Sequence, residues 1–291
     1  MHRPRVCVLM AFWFPLPLIE ELAREYPATV FVVKNHSGPQ FLAQEHAGWN
    51  TLFGIIDLAK RHPNVRVATI KGECGAALRA MGAKAIELPN VYSPAELALE
   101  PAPEKLPGFH IGLFGAFRPL KNGVGMAFAA ALAARRLDEK VTLHINGTRM
   151  ECGAPRDVAI ITEICTRTGI EVVRHGWLDH EPFKLLAGSM RVVLAASFSE
   201  TYNYVAADAV TAGTPVIGSD AIFWLPPAWR VNPDSTEALA QAMVQPWAIA
   251  DGLDSLRAYN FVATRRLLAT LAELGVTSRK KPATSASLCP S

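Results

Sequence analysis

Residues 191–220, RVVLAASFSETYNYVAADAVTAGTPVIGSD, constrain the fold more than any other stretch of the chain. An apolar, β-branched run over 191–196 has the length of a buried strand, and the mostly polar Ser197-Phe-Ser-Glu200 breaks it. Residues 201–212 have helical composition, Gly213 ends that helix, and residues 215–218 begin a second buried strand. Two acids stand out, Glu200 at the junction of loop and helix and Asp208 on the helix. Eight residues of helix span roughly 12 Å, so one extended ligand reaches both carboxylates. The amides of Thr201, Tyr202 and Asn203 open the expected helix, where free N–H groups and the helix dipole favour an anion such as a phosphate. A first-turn helix acid and a solvated acid, with no ligand, account for the same pair.

The same alternation runs through the whole chain. Strands are expected at 5–11, 29–34, 65–70 and 84–88, with helices at 17–26, within 41–61 and at 74–81. Strands alternating with helices argue a parallel sheet, so residues 1–95 form a first α/β domain. A stretch rich in Pro and Glu, 93–107, marks a boundary. Alternation then resumes with strands at 110–117, 141–146 and 171–176 and helices at 123–136, 157–168 and 181–187, giving a second Rossmann-like domain over 108–250. After residues 235–244, residues 254–275 read as a long amphipathic helix with Arg257, Arg265 and Arg266 on polar positions. The Ser/Lys/Pro tail, 277–291, is expected to be disordered. The glycine fingerprint of dinucleotide-binding folds, G-x-G-x-x-G, is absent.

At 291 residues, half of them hydrophobic, the chain is long and apolar enough for two cores. A net charge of +3 is too small to demand a polyanionic partner. The five cysteines, Cys7, Cys74, Cys152, Cys165 and Cys289, are scattered and odd in number, which suits reduced thiols. The basic, then apolar, N-terminus is broken by Pro15 and Pro17 and runs into Glu20 and Glu21, so it reads as a first buried strand and not a signal peptide. No segment approaches the roughly 20 apolar residues of a membrane span. The expected location is cytoplasmic.

Ser197-x-x-Glu200-(x)7-Asp208, followed by Ala212-Gly-Thr-Pro-Val-Ile217, resembles the donor-site signature of GT-B glycosyltransferases, in particular the large retaining family of sucrose-synthase and bacterial mannosyltransferase type (glycosyltransferase family 4-like). That family commonly has Glu at both acid positions and Gly-Phe-Gly where this chain has Thr201-Tyr-Asn203. The resemblance implies two Rossmann-like domains facing a cleft, here with a reduced N-terminal acceptor domain, and a final helix packing back on that domain. It also implies transfer of a sugar from a nucleotide sugar, UDP- or GDP-linked, to an acceptor hydroxyl with retention of configuration, and no essential metal.

Breaking the bond to the diphosphate requires fixed cations beside it. The loop Phe114-Gly-Ala-Phe-Arg-Pro-Leu-Lys-Asn122 resembles the family's Gly-Arg-Leu-x-x-x-Lys-Gly loop. Lys121 matches the family lysine; Ala116 stands where the arginine usually is, and Arg118 lies two residues on. By resemblance Glu200 faces the donor sugar and Asp208 the ribose. Gly115, the Asn146-Gly147-Thr-Arg149 turn and the His175-Gly176-Trp177 turn are candidates for the nucleotide, although ordinary turns fit the last two equally. His36, at the end of a strand, is a candidate base or acceptor-orienting group, and a satisfied loop histidine fits as well. In a retaining, internal-return mechanism the leaving phosphate is the base and His36 only orients. Phe12, Trp13 and Phe14 line the acceptor side or belong to the core. The remaining histidines show no metal-ligand spacing.

The acceptor stays open: a glycan, a lipid-linked glycan or DNA. Basic clusters at Arg3/Arg5, 60–66, Arg265/Arg266 and 279–281 keep a DNA-base glycosyltransferase of viral type among the alternatives. So do a sugar-nucleotide epimerase and a degenerate GT-B subunit that only binds a partner.

Overall fold

The computed structural model describes residues 4–97, 102–149, 151 and 154–276. Its first domain runs β1 (Val6–Leu9), α1 (Leu16–Glu25), β2 (Val30–Asn35), α2 (Pro39–Leu42), α3 (His46–Arg61), β3 (Val65–Thr69), α4 (Gly72–Ala80) and β4 (Ala85–Glu87). The second contains β5 (Phe109–Leu113), α5 (Gly123–Ala134), β6 (Val141–Asn146), α6 (Ala154–Thr168), β7 (Glu171–His175) and α7 (His180–Ser189). It continues through β8 (Val192–Ala195), α8 (Tyr204–Thr211), β9 (Val216–Gly218), α9 (Thr236–Met243) and α10 (Ile249–Glu273). Arg3, Cys152, Cys289, the basic run at 279–281 and the tail lie outside the described residues.

Several boundaries differ from the sequence expectation, and at two of them the backbone shows a local reason. The helix expected from residue 201 begins at Tyr204, because Asn203 takes the left-handed conformation (φ 71°) and caps the helix by accepting from the Ala206 amide at 2.9 Å. Thr201, Tyr202 and Asn203 therefore precede the helix. β5 ends at Leu113, because Gly115 adopts φ 103°, a conformation natural to glycine, and turns the chain. The last helix begins at Ile249, upstream of the expected 254.

All strand pairs are parallel, in two sheets. The first sheet follows chain order, β1-β2-β3-β4. Right-handed crossovers without a reversal put the intervening helices on one face, and Ile19, Leu52, Ile55 and Leu58 pack there against Phe31, Val33, Val65 and Val67. The opposite face, Val32, Ala68 and Leu88 with Val6, Val8 and Val30 around them, is covered by Leu267 of α10 and by Leu274 just after it. Arg266 of that helix pairs with Glu87 at 3.0 Å, and the Thr270 hydroxyl donates to the Glu87 carbonyl at 3.1 Å. The first sheet thus borrows a cover from the far end of the chain.

The second sheet has the order β7-β6-β5-β8-β9. The chain lays strands outward from β5 to β7, then returns to the other side of β5. Such a reversal leaves a crevice at the carboxyl ends of the two strands that diverge, here β5 and β8. α5 is apolar all round because it is enclosed: Met126 and a run of alanines are buried between the sheet, α6 and α9. No helix among the described residues is long and apolar enough to cross a membrane.

Candidate active site in the interdomain cleft

The loops that leave β5 and β8 flank the crevice and are tied to each other. The Phe198 amide donates to the Leu120 carbonyl at 2.9 Å. Asn122, left-handed at φ 57° and buried, donates to the Ala196 carbonyl at 3.1 Å and the Pro233 carbonyl at 2.8 Å. These bonds hold Lys121 against Glu200, and the two form an ion pair across the crevice. The Glu200 side chain is only 5% exposed, and the oxygen that meets Lys121 also accepts from the Ser197 hydroxyl at 2.9 Å and the Asn203 amide at 3.0 Å. A buried carboxylate needs such partners, and here every one comes from the two crevice loops. Sequence reasoning had placed both residues in the site without anticipating that they meet.

Asp208 has a different environment from the one expected of a ribose-binding acid. It is buried, and one oxygen accepts from the Tyr92 hydroxyl at 2.7 Å and lies 3.0 Å from His180 Nε2. Tyr92 belongs to the segment between the domains, so the acid clasps that segment to α8. The hydrogen bond from Asp208 holds His180 above its ordinary value, and Glu96, 3.7 Å from the same nitrogen, adds to the effect. Asp208 still lines a cavity of about 510 Å³ with Gly115, Lys121, Asn146, Trp177 and Phe183.

The remaining candidates divide. Gly115 donates its amide to the Asn146 side-chain oxygen at 2.7 Å, and the Gly147 amide donates to the His175 carbonyl at 2.7 Å, so these turns brace one another at the strand ends. Trp177 is 68% exposed at the rim, with the Arg149 guanidinium 5.9 Å from its ring centre. Gly176 has open space around it. The Tyr202 side chain is core, packed among Tyr204, Trp224 and Tyr259, and its hydroxyl has no partner among the described residues. Of the expected anion-binding amides, those of Thr201 to Asn203 lie ahead of the helix, and the first helical amides belong to Tyr204 and Val205.

Arg118 turns away from the Lys121–Glu200 pair. It bonds Glu151 at 3.0 Å and lies 4.9 Å over the Phe41 ring, a contact from the second domain to the first. His36 lines a second cavity of about 640 Å³ between the domains, together with Trp13, Phe41, Arg118, Ser199 and Glu200. Burial, and then the nearby Lys34 ammonium, push the His36 imidazole down, which favours its neutral form. Phe12 is core and Trp13 and Phe14 are exposed. A third cavity of about 220 Å³ adjoins Glu200 on the side of the first domain and is lined by Thr69, Lys71 and Ser199. The Lys71 ammonium sits 4.9 Å over the Phe223 ring, has no ion pair among the described residues, and is pushed down by burial.

Sequence reasoning missed Tyr92, Glu151 and Lys71, none of which sits in a motif. It also missed a row of three imidazoles. His110 Nε2 lies 3.0 Å from the Pro107 carbonyl, His110 Nδ1 2.8 Å from His144 Nε2, and His144 Nδ1 2.9 Å from His175 Nε2. A carbonyl only accepts, so with neutral rings each imidazole carries its proton on Nε2 and the row has one direction. The rings sit on adjacent strands at positions far apart in sequence. No group of three or more His, Cys, Asp or Glu among the described residues is placed to hold a metal.

Two parallel α/β sheets facing one cleft, the second with a reversal in strand order, have the architecture of the GT-B fold. Residues 108–248 match the family "Glycosyl transferases group 1". Compared with curated proteins by sequence, the chain finds no match. Among solved structures it resembles Anabaena HepE in complex with UDP and glucose (TM-score 0.65, 15% identity, 94% of this chain and 78% of that one). A complex of HepE with UDP-glucose gives a TM-score of 0.63 at 16% identity, over 93% of this chain and 77% of that one. Sucrose-phosphate synthase from Thermosynechococcus elongatus gives 0.64 at 20% identity, over 94% of this chain and 74% of that one. At these identities the likeness carries the fold.

Proposed function

We infer that the chain transfers a sugar from a uridine diphosphate sugar to an acceptor hydroxyl, with retention of configuration. The observation that carries this is the Lys121–Glu200 pair at the crevice between β5 and β8, opening on cavities of about 510 and 640 Å³ that share Arg118, Arg149 and Glu151. The uridine lies along Asn146, Trp177 and Phe183, the diphosphate beside Lys121, and the sugar against Glu200. As the bond to the sugar breaks, negative charge grows on the diphosphate and the Lys121 ammonium stabilises it more than it stabilises the bound donor. The leaving phosphate takes the acceptor's proton. Neutral His36 orients the acceptor hydroxyl, and the Lys71 cavity receives the rest of the acceptor. HepE, whose structures hold UDP and UDP-glucose, supports the choice of uridine.

A glycan acceptor is favoured over DNA because the described basic clusters are engaged: Lys60 with Asp57 at 3.6 Å, Arg61 with Glu20 at 3.5 Å, and Arg266 with Glu87. The test is thermal unfolding with UDP, UDP-glucose and GDP, since a ligand bound only by the native state raises its midpoint by mass action. UDP and UDP-glucose are expected to raise the midpoint, and Glu200→Ala to abolish the gain from the sugar. No shift with any nucleotide would transfer support to a subunit that binds a partner and not a donor.

A further inference from the structure

Between the two loops, the Glu151 carboxylate is held by two guanidinium groups. Arg118 Nη1 donates to one of its oxygens at 3.0 Å and Arg149 Nε to the other at 3.0 Å. Each arginine rests on an aromatic ring, Arg118 on Phe41 and Arg149 on Trp177. Two planar cations that grip one anion through both its oxygens form an arrangement suited to phosphate as well as to carboxylate. All three side chains line both large cavities. Arg118 Nε is buried and without a hydrogen-bond partner among the described residues, so the pair has donor capacity that Glu151 does not use.

The backbone around Glu151 is anchored independently of its carboxylate. The Glu151 amide donates to the Phe117 carbonyl at 2.8 Å and the Phe117 amide to the Arg149 carbonyl at 3.1 Å. The side chain is a quarter exposed, so its carboxylate is open to solvent. Lys121, by contrast, is held by a carboxylate with two further partners, and Glu200 is nearly inaccessible to water. Of these two carboxylates, the one more open to exchange is therefore that on the arginines.

We propose that Arg118 and Arg149 form a phosphate subsite whose resident anion is Glu151, and that the donor's diphosphate binds by displacing that carboxylate. The proposal rests on the donor reading above and deepens it. Glu151 then sets the selectivity of the subsite: a singly charged anion replaces one carboxylate with no gain, whereas a diphosphate brings more charge and more acceptor oxygens than it removes. The arginine missing from the Ala116 position is made good by a pair that arrives from two loops.

Isothermal titration of the full chain and of Glu151→Gln tests this, with UDP, inorganic pyrophosphate and uridine as probes. Glutamine keeps the shape and one acceptor but removes the charge. UDP and pyrophosphate are each expected to bind Glu151→Gln roughly tenfold more tightly than wild type, uridine equally to both, and Glu151→Asp, which keeps the charge, like wild type. Weaker or unchanged pyrophosphate and UDP binding in Glu151→Gln, with an unfolding midpoint like that of wild type, would mean that Glu151 holds the arginines in place permanently, and would overturn the exchange. Tighter pyrophosphate binding without any UDP binding would sink the uridine reading and leave the subsite standing. Failure of wild type and variant to bind either anion would overturn both.

Discussion

The two sheets differ in whether the chain reverses. The first is laid down in consecutive order, and one of its faces is covered by α10 from the end of the chain. The second reverses between β5 and β8 and so creates its own crevice. The charges follow the topology. Around the crevice Lys121 meets Glu200, Arg118 and Arg149 meet Glu151, and His180 meets Asp208. On the first domain's wall His36 and Lys71 carry no ion pair among the described residues and both are pushed down by burial. A crevice built into one sheet can be lined with cations held in place by local partners. A wall that only faces it presents groups whose partner has to arrive with the ligand.

The comparison breaks most readily at Lys121. Lys121→Ala is expected to lower sugar transfer by about 100-fold or more, the scale of removing one preorganised charge-stabilising donor, in a donor-consumption assay. Activity near wild type would remove the diphosphate assignment and with it the contrast between the sheets.

A smaller effect is expected from pH in the second sheet. Burial and the imidazoles on either side push His144 down to about 4 from 6.5, and burial lowers His175. Below about 6.5 the unfolded chain binds protons that the folded row refuses, so stability falls as pH drops toward 4. His144→Gln should flatten that fall, measured as urea midpoints at about pH 7 and about pH 5. Equal slopes in variant and wild type would show that the row does not carry the acid sensitivity. His180 has the opposite sign: its raised value adds stability that is complete below about 6.5 and lost as pH rises through the folded value.

The smallest effect is expected at Lys71. Removing a half-buried ammonium that has no ion pair among the described residues breaks no close contact with a carboxylate, so Lys71→Ala should leave stability within about 0.5 kcal/mol of wild type. A large loss would show that Lys71 is a structural cation, and the first wall would then resemble the second.

The parallel α/β class was legible because its signals are local. Buried parallel strands are continuous apolar runs, and Gly213 and the prolines of 93–107 punctuate them. Glu200, Lys121 and the Ser197 loop were legible because a motif keeps them at fixed spacing. The start of α8 was not, since the left-handed Asn203 that sets it has no strong sequence signal. Nor was the role of Asp208: a carboxylate on a helix looks the same whether a ribose or Tyr92 meets it, and Tyr92 lies more than a hundred residues away.

By itself the sequence determined the alternation of strands and helices and the residue types at the ends of β5 and β8, because each depends on neighbours within a few residues. Only the tertiary structure decided which charges meet: Lys121 with Glu200, Glu151 with two arginines, Asp208 with Tyr92 and His180, and three imidazoles in a row. The physical reason is that charges and hydrogen bonds act over a few ångströms in space, and strand order, which sets those distances, is a property of the whole packed sheet.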